Sequence, residues 1–474
     1  MASRPVSPRA EKAPPVLTGD PPAGSPWRLT DPRTGGARGT MRAADGPDVA
    51  AAVRTAREAA RGWGGLSGGE RSRRLSRLAD LMEREAPAYL AAELAGTGKP
   101  PSEAATEVAA SIDVLRFYAG ALRTGTSPAA GELIPGHESW VRWEPLGVVA
   151  AIVPWNYPLL MAAWRIGPAL AAGNAVILKP AATTPDSGLL LARDAGQELG
   201  PGVLQTLVGG RATGRTLTAG PVDAVAFTGS PAAGLDVLGR AGTRRVSLEL
   251  GGNSPVIVLP DAPADACRAL MGACTYNAGQ SCAAPARVIT LRENHDAVVA
   301  GLVEAMESRP AGRAFGPLNN AEQAARYDTL LRSSAASVRR SGPMDVTEEE
   351  RGGYWRPATV LAGLPEDDPA VREEVFGPLL TVQVAADPHD ALRLAGSVPQ
   401  ALAASVWSRD LARALPLAQA LDAGEVWVNC HLAQTAELPH GGRRGSGHGT
   451  DLSVLALTEY QRPKTVTVRT GPGL

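Results

Sequence analysis

The sequence is poor in cysteine, in aromatic residues and in lysine, and it has almost no excess of charge. Its four cysteines form no C-x-x-C pair and no Cys/His cluster with zinc spacing, so nothing indicates a disulfide framework or a zinc site. The net charge of −1 provides no basic surface for nucleic acid. No apolar run approaches the ~18 residues that cross a membrane, and the N-terminus has no signal pattern. We therefore expect a cytoplasmic protein that binds neither metal, membrane nor nucleic acid.

The chain of 474 residues is too long for one hydrophobic core, so we expect two or three domains. Residues 1–26 carry seven prolines and no periodic apolar face, a composition that predicts a disordered Pro-rich tail. Apolar residues recur at helical spacing over residues 49–60 and 70–94, so both segments are predicted to be helical.

Further along the chain, short apolar runs alternate with helical patterns. The runs that we predict to be buried strands are residues 148–153, 175–178 and 224–227. This alternation is typical of right-handed βαβ units with a parallel sheet, whose ligands bind at the carboxyl ends of the strands. Asn156, Lys179 and Gly229 follow such strand ends. A second α/β block is predicted over residues 251–429, and residues 464–468 alternate as an edge strand does.

Cys282 is the most informative residue of the chain. It ends the small-residue segment Gly-Gln-Ser-Cys, where backbone N–H groups would lower the ordinary thiol pKa of about 8.5. Glu249 follows an apolar strand and precedes two glycines, and Asn156 lies within Pro-Trp-Asn-Tyr-Pro. A thiol, a carboxylate and an amide are the groups needed to form and hydrolyse a thioester. The alternatives are an inert buried cysteine and a solvent-facing carboxylate.

Gly229, Ser230 and Gly234 occupy a predicted junction between a strand and a helix. Glycine lets the backbone approach a phosphate, and a helix N-terminus favours anions. The pattern is not the G-x-G-x-x-G fingerprint. Lys179, at the end of the adjoining predicted strand, would be placed to hydrogen-bond ribose hydroxyls. We therefore predict a nucleotide site here, and the alternative for Lys179 is a surface ammonium.

Taken together, these segments resemble the aldehyde dehydrogenase superfamily from about residue 27 to residue 468. Further motifs follow in the order of that family, namely Glu-Glu-Val-Phe-Gly-Pro at 373–378, Val-Trp-Val-Asn at 426–429 and Pro-His-Gly-Gly at 439–442. The resemblance implies an α/β fold of three parts. These are a doubly wound parallel-sheet cofactor domain (27–119 and 145–249), a second α/β catalytic domain (250–429) and a small β oligomerisation arm (120–144 and 445–474). A homodimer or homotetramer is the expected assembly.

The resemblance also implies a role for each matching position. Cys282 is the expected nucleophile, which adds to an aldehyde as a thiohemiacetal and holds a thioester after hydride transfer to NAD or NADP. Asn156 and the Cys282 backbone N–H form the expected oxyanion hole, and Glu249 is the expected base that activates water. The expected cofactor-binding residues are Trp155, Lys179, Gly229, Ser230, Gly234, Glu374 and Phe376.

Within the family, the sequence looks most like the aminobutyraldehyde and betaine-aldehyde branch. The pocket positions that this implies are Tyr157, Met161, Trp164, Tyr276, Ser281 and His440. Their aromatic faces suit an ammonium group, and Glu107 or Glu437 is the hypothetical counter-charge. We expect oxidation of an aminoaldehyde such as 4-aminobutyraldehyde. The alternatives are a dehydrogenase of a semialdehyde or aliphatic aldehyde, and a non-catalytic scaffold or binding relative.

One departure from the family pattern concerns the cofactor. After Lys179 and Pro180, NAD-preferring members often carry an acidic residue that binds the adenosine ribose, whereas this chain has Ala181-Ala182-Thr183. The departure leaves room for a 2′-phosphate, so NAD and NADP are both kept as expected cofactors.

Overall fold

The computed structural model describes residues 23–124 and 130–471. Most of the predicted disordered tail lies outside the described residues. Its last four residues, 23–26, do not. The strands β1 (Pro26–Thr30) and β2 (Ala37–Arg42) pair as an antiparallel hairpin, and the backbones of Gly24 and Ser25 hydrogen-bond that of Ala43. The predicted end of the tail is therefore a few residues too late.

Four helices and a second hairpin follow. They are α1 (Gly46–Gly65), α2 (Gly68–Arg84), α3 (Ala86–Thr97), α4 (Pro101–Ala121), β3 (Gly131–Ile134) and β4 (His137–Pro145). Helix α1 begins with a capping box in which Asp45 and Asp48 bond each other's backbone N–H. The continuous helical pattern over residues 70–94 is interrupted, because Glu85 ends α2 and Pro87 lies in the first turn of α3.

The first large sheet contains five parallel strands in the order β7-β6-β5-β8-β9. Its strands are β5 (Val148–Ile152), β6 (Ala175–Lys179), β7 (Leu204–Thr206), β8 (Ala224–Gly229) and β9 (Arg245–Leu250). The intervening helices are α5 (Pro158–Ala171), α6 (Asp186–Glu198), α7 (Arg211–Ala219) and α8 (Pro231–Ala241). Every residue of β5 and β6 is buried, as is usual for parallel strands that helices cover on both faces. This half of the molecule has the predicted doubly wound α/β architecture.

The second large sheet contains seven strands in the order β12-β13-β14-β11-β10-β16-β17, of which only β12 runs antiparallel to its neighbour. The strands of this part are β10 (Ser254–Val258), β11 (Pro285–Leu291), β12 (Val338–Ser341), β13 (Thr359–Ala362), β14 (Leu379–Ala385), β15 (Gln400–Ala401), β16 (Ala403–Trp407), β17 (Glu425–Val428) and β18 (Arg443–Arg444). Its helices are α9 (Ala266–Thr275), α10 (His295–Glu307), α11 (Ala321–Ser333), α12 (Pro369–Arg372), α13 (Pro388–Ala395) and α14 (Leu411–Ala420). Strands β15 and β18 pair with each other outside the sheet. The second predicted α/β block is thus also present.

The last strand, β19 (Gln461–Arg469), pairs with β4 along its whole length and completes a three-stranded antiparallel sheet in the order β19-β4-β3. The edge strand predicted over residues 464–468 lies within β19. Residues 125–129 and 472–474 of the predicted arm lie outside the described residues. Residues 454–460 form a 3₁₀ helix that packs against α5 instead of joining the arm.

The two large sheets each have a hydrophobic core, and the site lies where segments from both meet. Cys282 precedes β11 of the second sheet, whereas Glu249 lies in β9 and Asn156 follows β5 of the first. Within residues 23–124 and 130–471, no helix has the length and apolar content needed to cross a membrane.

Candidate active site

Cys282 follows a tight left-handed turn. Asn277, Ala278 and Gly279 have φ angles of 49°, 54° and 71°, a region that costs free energy for residues other than glycine. A Cβ atom on Gly279 would collide with the carbonyl oxygen of Gly377. The turn therefore packs tightly against the second α/β block and fixes the segment that carries the thiol.

Buried amide side chains hold this turn in place. The Asn277 backbone N–H donates to the Glu103 carboxylate at 2.8 Å, and Asn277 Nδ2 donates to the Asn156 carbonyl at 2.8 Å. Gln280 Oε1 accepts from the Asn319 backbone N–H at 2.8 Å. Sequence reasoning missed these supports, because Glu103 and Asn319 lie far from Cys282 along the chain and belong to no local pattern.

Asn156 lies against the same turn and is 4% exposed. Its Nδ2 donates to the Gln280 carbonyl at 2.8 Å, and its Oδ1 has no hydrogen-bond partner among the described residues. The amide nitrogen carries two hydrogens, so one remains for a further acceptor.

Glu249 is 1% exposed, and neither of its carboxylate oxygens has a hydrogen-bond partner within the described part of the chain. Its Oε1 lies 3.5 Å from His440 Nε2. One atom each of the Glu249 carboxylate, the Cys282 thiol and the His440 ring lies within 4.8 Å of the other two, so the three side chains form one cluster. The structure thus brings the predicted nucleophile and base together, and His440, predicted as a pocket residue, is the third member of the group.

The thiol of Cys282 is electrostatically unfavourable to ionise. Burial raises the pKa of the thiol to about 12, and the negative charge of Glu249 acts in the same direction. The nearby His440, through its position and its positive charge, acts in the opposite direction. The expectation that backbone N–H groups lower this pKa is therefore wrong, because desolvation and a facing carboxylate outweigh any such contribution.

His440 is fully buried and has a second acidic neighbour. Its Nδ1 lies 3.0 Å from Glu425 Oε2, and its ring centroid lies 4.9 Å from that of Trp164. Burial lowers the pKa of His440, but the neighbouring Cys282, Glu249 and Glu425 outweigh burial, so the pKa lies well above its ordinary value. Sequence reasoning missed Glu425, which directly precedes the Val-Trp-Val-Asn motif.

Four predicted cofactor residues lie at one edge of the first sheet. Gly229 ends β8, and Ser230 caps α8 by accepting a hydrogen bond from a backbone N–H of its first turn. A Cβ atom on Gly234 would collide with Leu250. Lys179 ends β6 and is 6% exposed, so the alternative of a surface ammonium is wrong.

The other three predicted cofactor residues come from both halves of the molecule. The rings of Trp155 and Phe376 meet edge to face with centroids 5.4 Å apart. Glu374 accepts a hydrogen bond from the Gly252 backbone N–H at 3.2 Å. Burial raises the pKa of Glu374 to about 8. Glu374 lies near the thiol as well, since its charge contributes to raising the pKa of Cys282.

The remaining predicted pocket residues fall into two groups. Tyr157 and Tyr276 stack with ring centroids 6.4 Å apart and an interplanar angle of 22°, and Ser281 lies beside Tyr157. Met161 and Trp164 are buried on α5 and belong to its hydrophobic core.

The two hypothetical counter-charges do not behave as expected. Glu107 is buried and forms an ion pair with Lys99, so its charge is already compensated. Glu437 is exposed and bonds the Thr435 hydroxyl. A carboxyl group that the sequence did not single out, Glu103, lies nearer the tyrosine pair. Burial raises the pKa of Glu103 to about 7, and its charge raises the pKa of Tyr276.

The sequence model that describes the aldehyde dehydrogenase family matches residues 21–466. The chain belongs to this family. Retinaldehyde dehydrogenase 3 of Homo sapiens is 35% identical over 90% of this chain and 86% of its own length. The putative aldehyde dehydrogenase DhaS of Bacillus subtilis is 35% identical over 94% of this chain and 93% of its own length.

Solved structures of aldehyde dehydrogenases share the fold of this chain over almost its whole length. Betaine aldehyde dehydrogenase of Staphylococcus aureus with NAD+ has a TM-score of 0.90 and 28% identity, covering 95% of this chain and 93% of its own. A variant of indole-3-acetaldehyde dehydrogenase of P. syringae with NAD+ has a TM-score of 0.90 and 30% identity, covering 94% of both chains. The protein is an NAD(P)-dependent aldehyde dehydrogenase, and the scaffold alternative is not supported.

Proposed function

We propose that this aldehyde dehydrogenase oxidises an aminoaldehyde, such as 4-aminobutyraldehyde, to the carboxylic acid through Cys282. The observation that carries the substrate class is the stacked pair Tyr157 and Tyr276, which lies beside the buried carboxyl groups of Glu103 and Glu107. Aromatic faces favour a cationic group, and the ionised form of Glu103 adds negative charge beside them.

In the proposed reaction, Cys282 Sγ attacks the carbonyl carbon of the aldehyde, and Asn156 Nδ2 stabilises the oxygen that becomes negatively charged. NAD(P)+, when bound, supplies the hydride acceptor. The acyl group then remains on Sγ as a thioester, and Glu249 takes a proton from the water that hydrolyses it. The unpartnered oxygens of Glu249 fit this role, since the carboxylate is free to accept a hydrogen bond from water.

The residues at the edge of the first sheet fit a dinucleotide cofactor. The N-terminus of α8 presents backbone N–H groups beside Gly229 and Ser230, which suits a pyrophosphate. Lys179 would hold a ribose, and Glu374 would accept hydrogen bonds from the ribose on the nicotinamide side. A collision between Leu250 and any Cβ at Gly234 shows that this helix approaches the sheet closely.

Glu103 is the carboxyl group whose charge can favour a cationic substrate. Lys99 compensates Glu107, and burial raises the pKa of Glu93 well above its ordinary value, whereas burial raises the pKa of Glu103 only to about 7. Lys99 Nζ lies 4.5 Å from the centroid of the Tyr157 ring and so occupies one face of it. We infer that Tyr276, which is partly exposed, offers its face to the substrate ammonium.

Steady-state kinetics with 4-aminobutyraldehyde, hexanal and succinic semialdehyde test this proposal, each with NAD and with NADP. We expect the highest kcat/KM for the aminoaldehyde. Tyr276→Leu should lower that preference about 2- to 30-fold, the range for an attraction of ~0.5–2 kcal/mol between a cation and an aromatic ring. Tyr354→Leu, a partly buried tyrosine outside the predicted pocket, is the control and should retain the wild-type preference.

An uncharged aldehyde is the second candidate. Lys99 already occupies one face of Tyr157, Met161 and Trp164 are apolar, and retinaldehyde dehydrogenase 3 is among the relatives. A higher kcat/KM for hexanal would support this candidate and overturn the aminoaldehyde. A semialdehyde has weaker support, because none of the six predicted pocket positions carries a basic side chain other than His440.

We also propose that the three-stranded arm joins subunits into a homodimer or homotetramer. Large apolar side chains stand exposed on it, including Leu133 at 82% and Ile134 at 54%. A cytoplasmic location is proposed as well, and the free state of all four cysteines supports a reducing compartment.

A further inference from the structure

His440 has a geometry that packing alone does not require. Its two ring nitrogens face different acidic groups, with Nδ1 at 3.0 Å from Glu425 Oε2 and Nε2 at 3.5 Å from Glu249 Oε1. Nε2 has no hydrogen-bond partner of good geometry among the described residues, yet it is completely buried and directed at the Cys282 site. A buried donor without a partner is costly, so this nitrogen is placed for a group that changes during the reaction.

The surroundings fix the orientation of the ring. The His440 backbone N–H donates to the Asp451 carbonyl at 2.8 Å, and the Asp451 N–H donates back to the His440 carbonyl at 2.7 Å. Trp164 covers the ring, and Gln434 Nε2 donates to Glu425 Oε2 at 2.9 Å. Nδ1 faces two groups, Glu425 Oε2 at 3.0 Å and Gln434 Nε2 at 3.1 Å. A carboxylate only accepts hydrogen bonds, so Nδ1 carries a hydrogen towards Glu425, and Nε2 is the nitrogen that faces the site.

We propose that Glu425 and His440 form a proton-holding pair for Cys282. The pair keeps an imidazolium beside Sγ throughout the cycle. When Sγ attacks the aldehyde carbon, the Sγ–H bond breaks, its proton leaves to solvent and the new C–S bond forms, and the positive charge at Nε2 stabilises the attacking thiolate. When water hydrolyses the thioester, the C–S bond breaks and the departing thiolate takes a proton back from solvent beside the same imidazolium. His440 neither gains nor loses a proton, so no oxidant or reductant is needed for its role.

Glu425 has the task of orienting the ring and stabilising the imidazolium, as a carboxylate does behind a histidine in other nucleophile sites. The two acidic groups around His440 then have different roles. Glu425 acts on Nδ1 from the edge strand β17, whereas Glu249 remains free to take a proton from water.

The charged groups that face His440 come from four elements. They are Glu249 in β9, Cys282 before β11, Glu425 in β17 and Asp451, which is itself paired with Arg165 of α5 at 3.0 Å. Loss of the imidazolium should make the thiol harder to ionise, whereas loss of the Glu249 charge should make it easier. Two neighbours of the same thiol are thus expected to shift its ionisation in opposite directions.

The test is the pH dependence of Cys282 alkylation by iodoacetamide from pH 5.5 to 10, with a chelator present and the modified peptide quantified by mass spectrometry. Cys282 is partly exposed, so the reagent can reach it. His440→Gln should raise the apparent pKa by about one unit and slow alkylation about tenfold at pH 7. Glu425→Gln should slow it by a smaller factor, since the imidazolium loses its counter-charge. Glu249→Gln should accelerate it.

His448→Gln, at an exposed histidine, is the matched control and should follow the wild-type profile. His440→Phe keeps an aromatic ring against Trp164 but has no nitrogen, so a role limited to packing would leave its profile unchanged. Superimposable profiles for the wild type, His440→Gln and Glu425→Gln would overturn the proposal. If the His440 variants fail to fold, Glu425→Gln decides alone, because Glu425 is partly exposed at the edge of its sheet.

The outcome does not depend on the proposed substrate. Alkylation is measured without any aldehyde, so it can support the proton-holding pair even if hexanal proves to be the better substrate. A role in the reaction itself is checked by the first turnover. His440→Gln should slow the initial burst of NAD(P)H by a factor similar to its effect on alkylation at the same pH.

Discussion

At the scale of single residues, the site places the Cys282 thiol beside the Glu249 carboxylate, and the negative charges of the two groups disfavour each other. The carboxylate needed for hydrolysis also disfavours the thiolate needed for attack, since both groups share a desolvated space. Glu249→Gln should therefore affect the two half-reactions differently. We expect the first turnover to persist and deacylation to slow by about 10²- to 10⁴-fold, the usual contribution of a general base.

Stopped-flow measurement of NAD(P)H checks this prediction. The variant should show a burst of about one equivalent per site, followed by a slow steady rate, and the acyl group should be found on Cys282 by mass spectrometry. Equal slowing of burst and steady rate would mean that Glu249 acts before the thioester forms. Glu437→Gln, at an exposed carboxylate, serves as the control.

At the scale of elements, the preference between NAD and NADP is expected to depend on the segment that connects β6 to α6. Ala182 packs beside Trp27, whose Nε1 donates to the Ala182 carbonyl at 3.2 Å. Ala182→Glu should lower the preference for NADP over NAD by about tenfold or more, equivalent to ~1.4 kcal/mol, through repulsion of the 2′-phosphate. Ala182→Gln has a similar size without the charge, so it should leave the preference almost unchanged in the same kinetic assay. Equal effects of both variants would contradict the electrostatic explanation.

A buried ion pair joins α5 to the chain segment after His440. Arg165 is fully buried, lies 3.0 Å from Asp451 and also donates to Thr228 and Ser247. Arg165→Met leaves Asp451 unpaired and should reduce the free energy of unfolding by about 3–5 kcal/mol. Burial raises the pKa of Asp451 to about 6, above its ordinary value of 3.8. Folding therefore favours the protonated carboxyl, and this contribution is complete below pH 3.8 and lost as the pH rises through 6.

Losing the arginine raises the pKa of Asp451 further, so Arg165→Met should be more destabilising at pH 8 than at pH 5. Urea unfolding at both pH values measures the difference. Adding Asp451→Asn should restore part of the stability at pH 8 and little at pH 5. An equal loss at both pH values would mean that packing, not charge, accounts for the effect.

The elements also show what the sequence could predict. Residues 148–153 and 175–178 were recognisable as strands because uninterrupted short apolar runs are typical of parallel strands buried on both faces. Cys282, Glu249 and Asn156 were found through local motifs. The contacts of His440 with Glu425 were not, because they join separate elements that only the folded chain brings together.

At the scale of the whole molecule, the three-stranded arm is the part least able to stand alone. A small sheet is stable only when one of its faces is covered. In the arm, however, Leu133, Ile134, Trp140 and Trp143 are exposed. Aromatic residues of this kind are enriched at interfaces between subunits. Contact with a second copy of the chain is the simplest way to bury these side chains, in agreement with the proposed homo-oligomer.

The double variant Leu133→Glu and Ile134→Glu should reduce the mass of the assembly measured by light scattering, because two charges cannot be buried in an apolar contact. Leu411→Glu, at a leucine of α14 that is 55% exposed, should retain the wild-type mass. Unchanged mass in the double variant would contradict the role of the arm. Cys282, Glu249 and His440 all come from one chain, so the dissociated subunit should still show the wild-type pH profile of Cys282 alkylation. Assembly and thiol chemistry are therefore expected to be separable, and a profile that shifts on dissociation would show that the subunits control each other's sites.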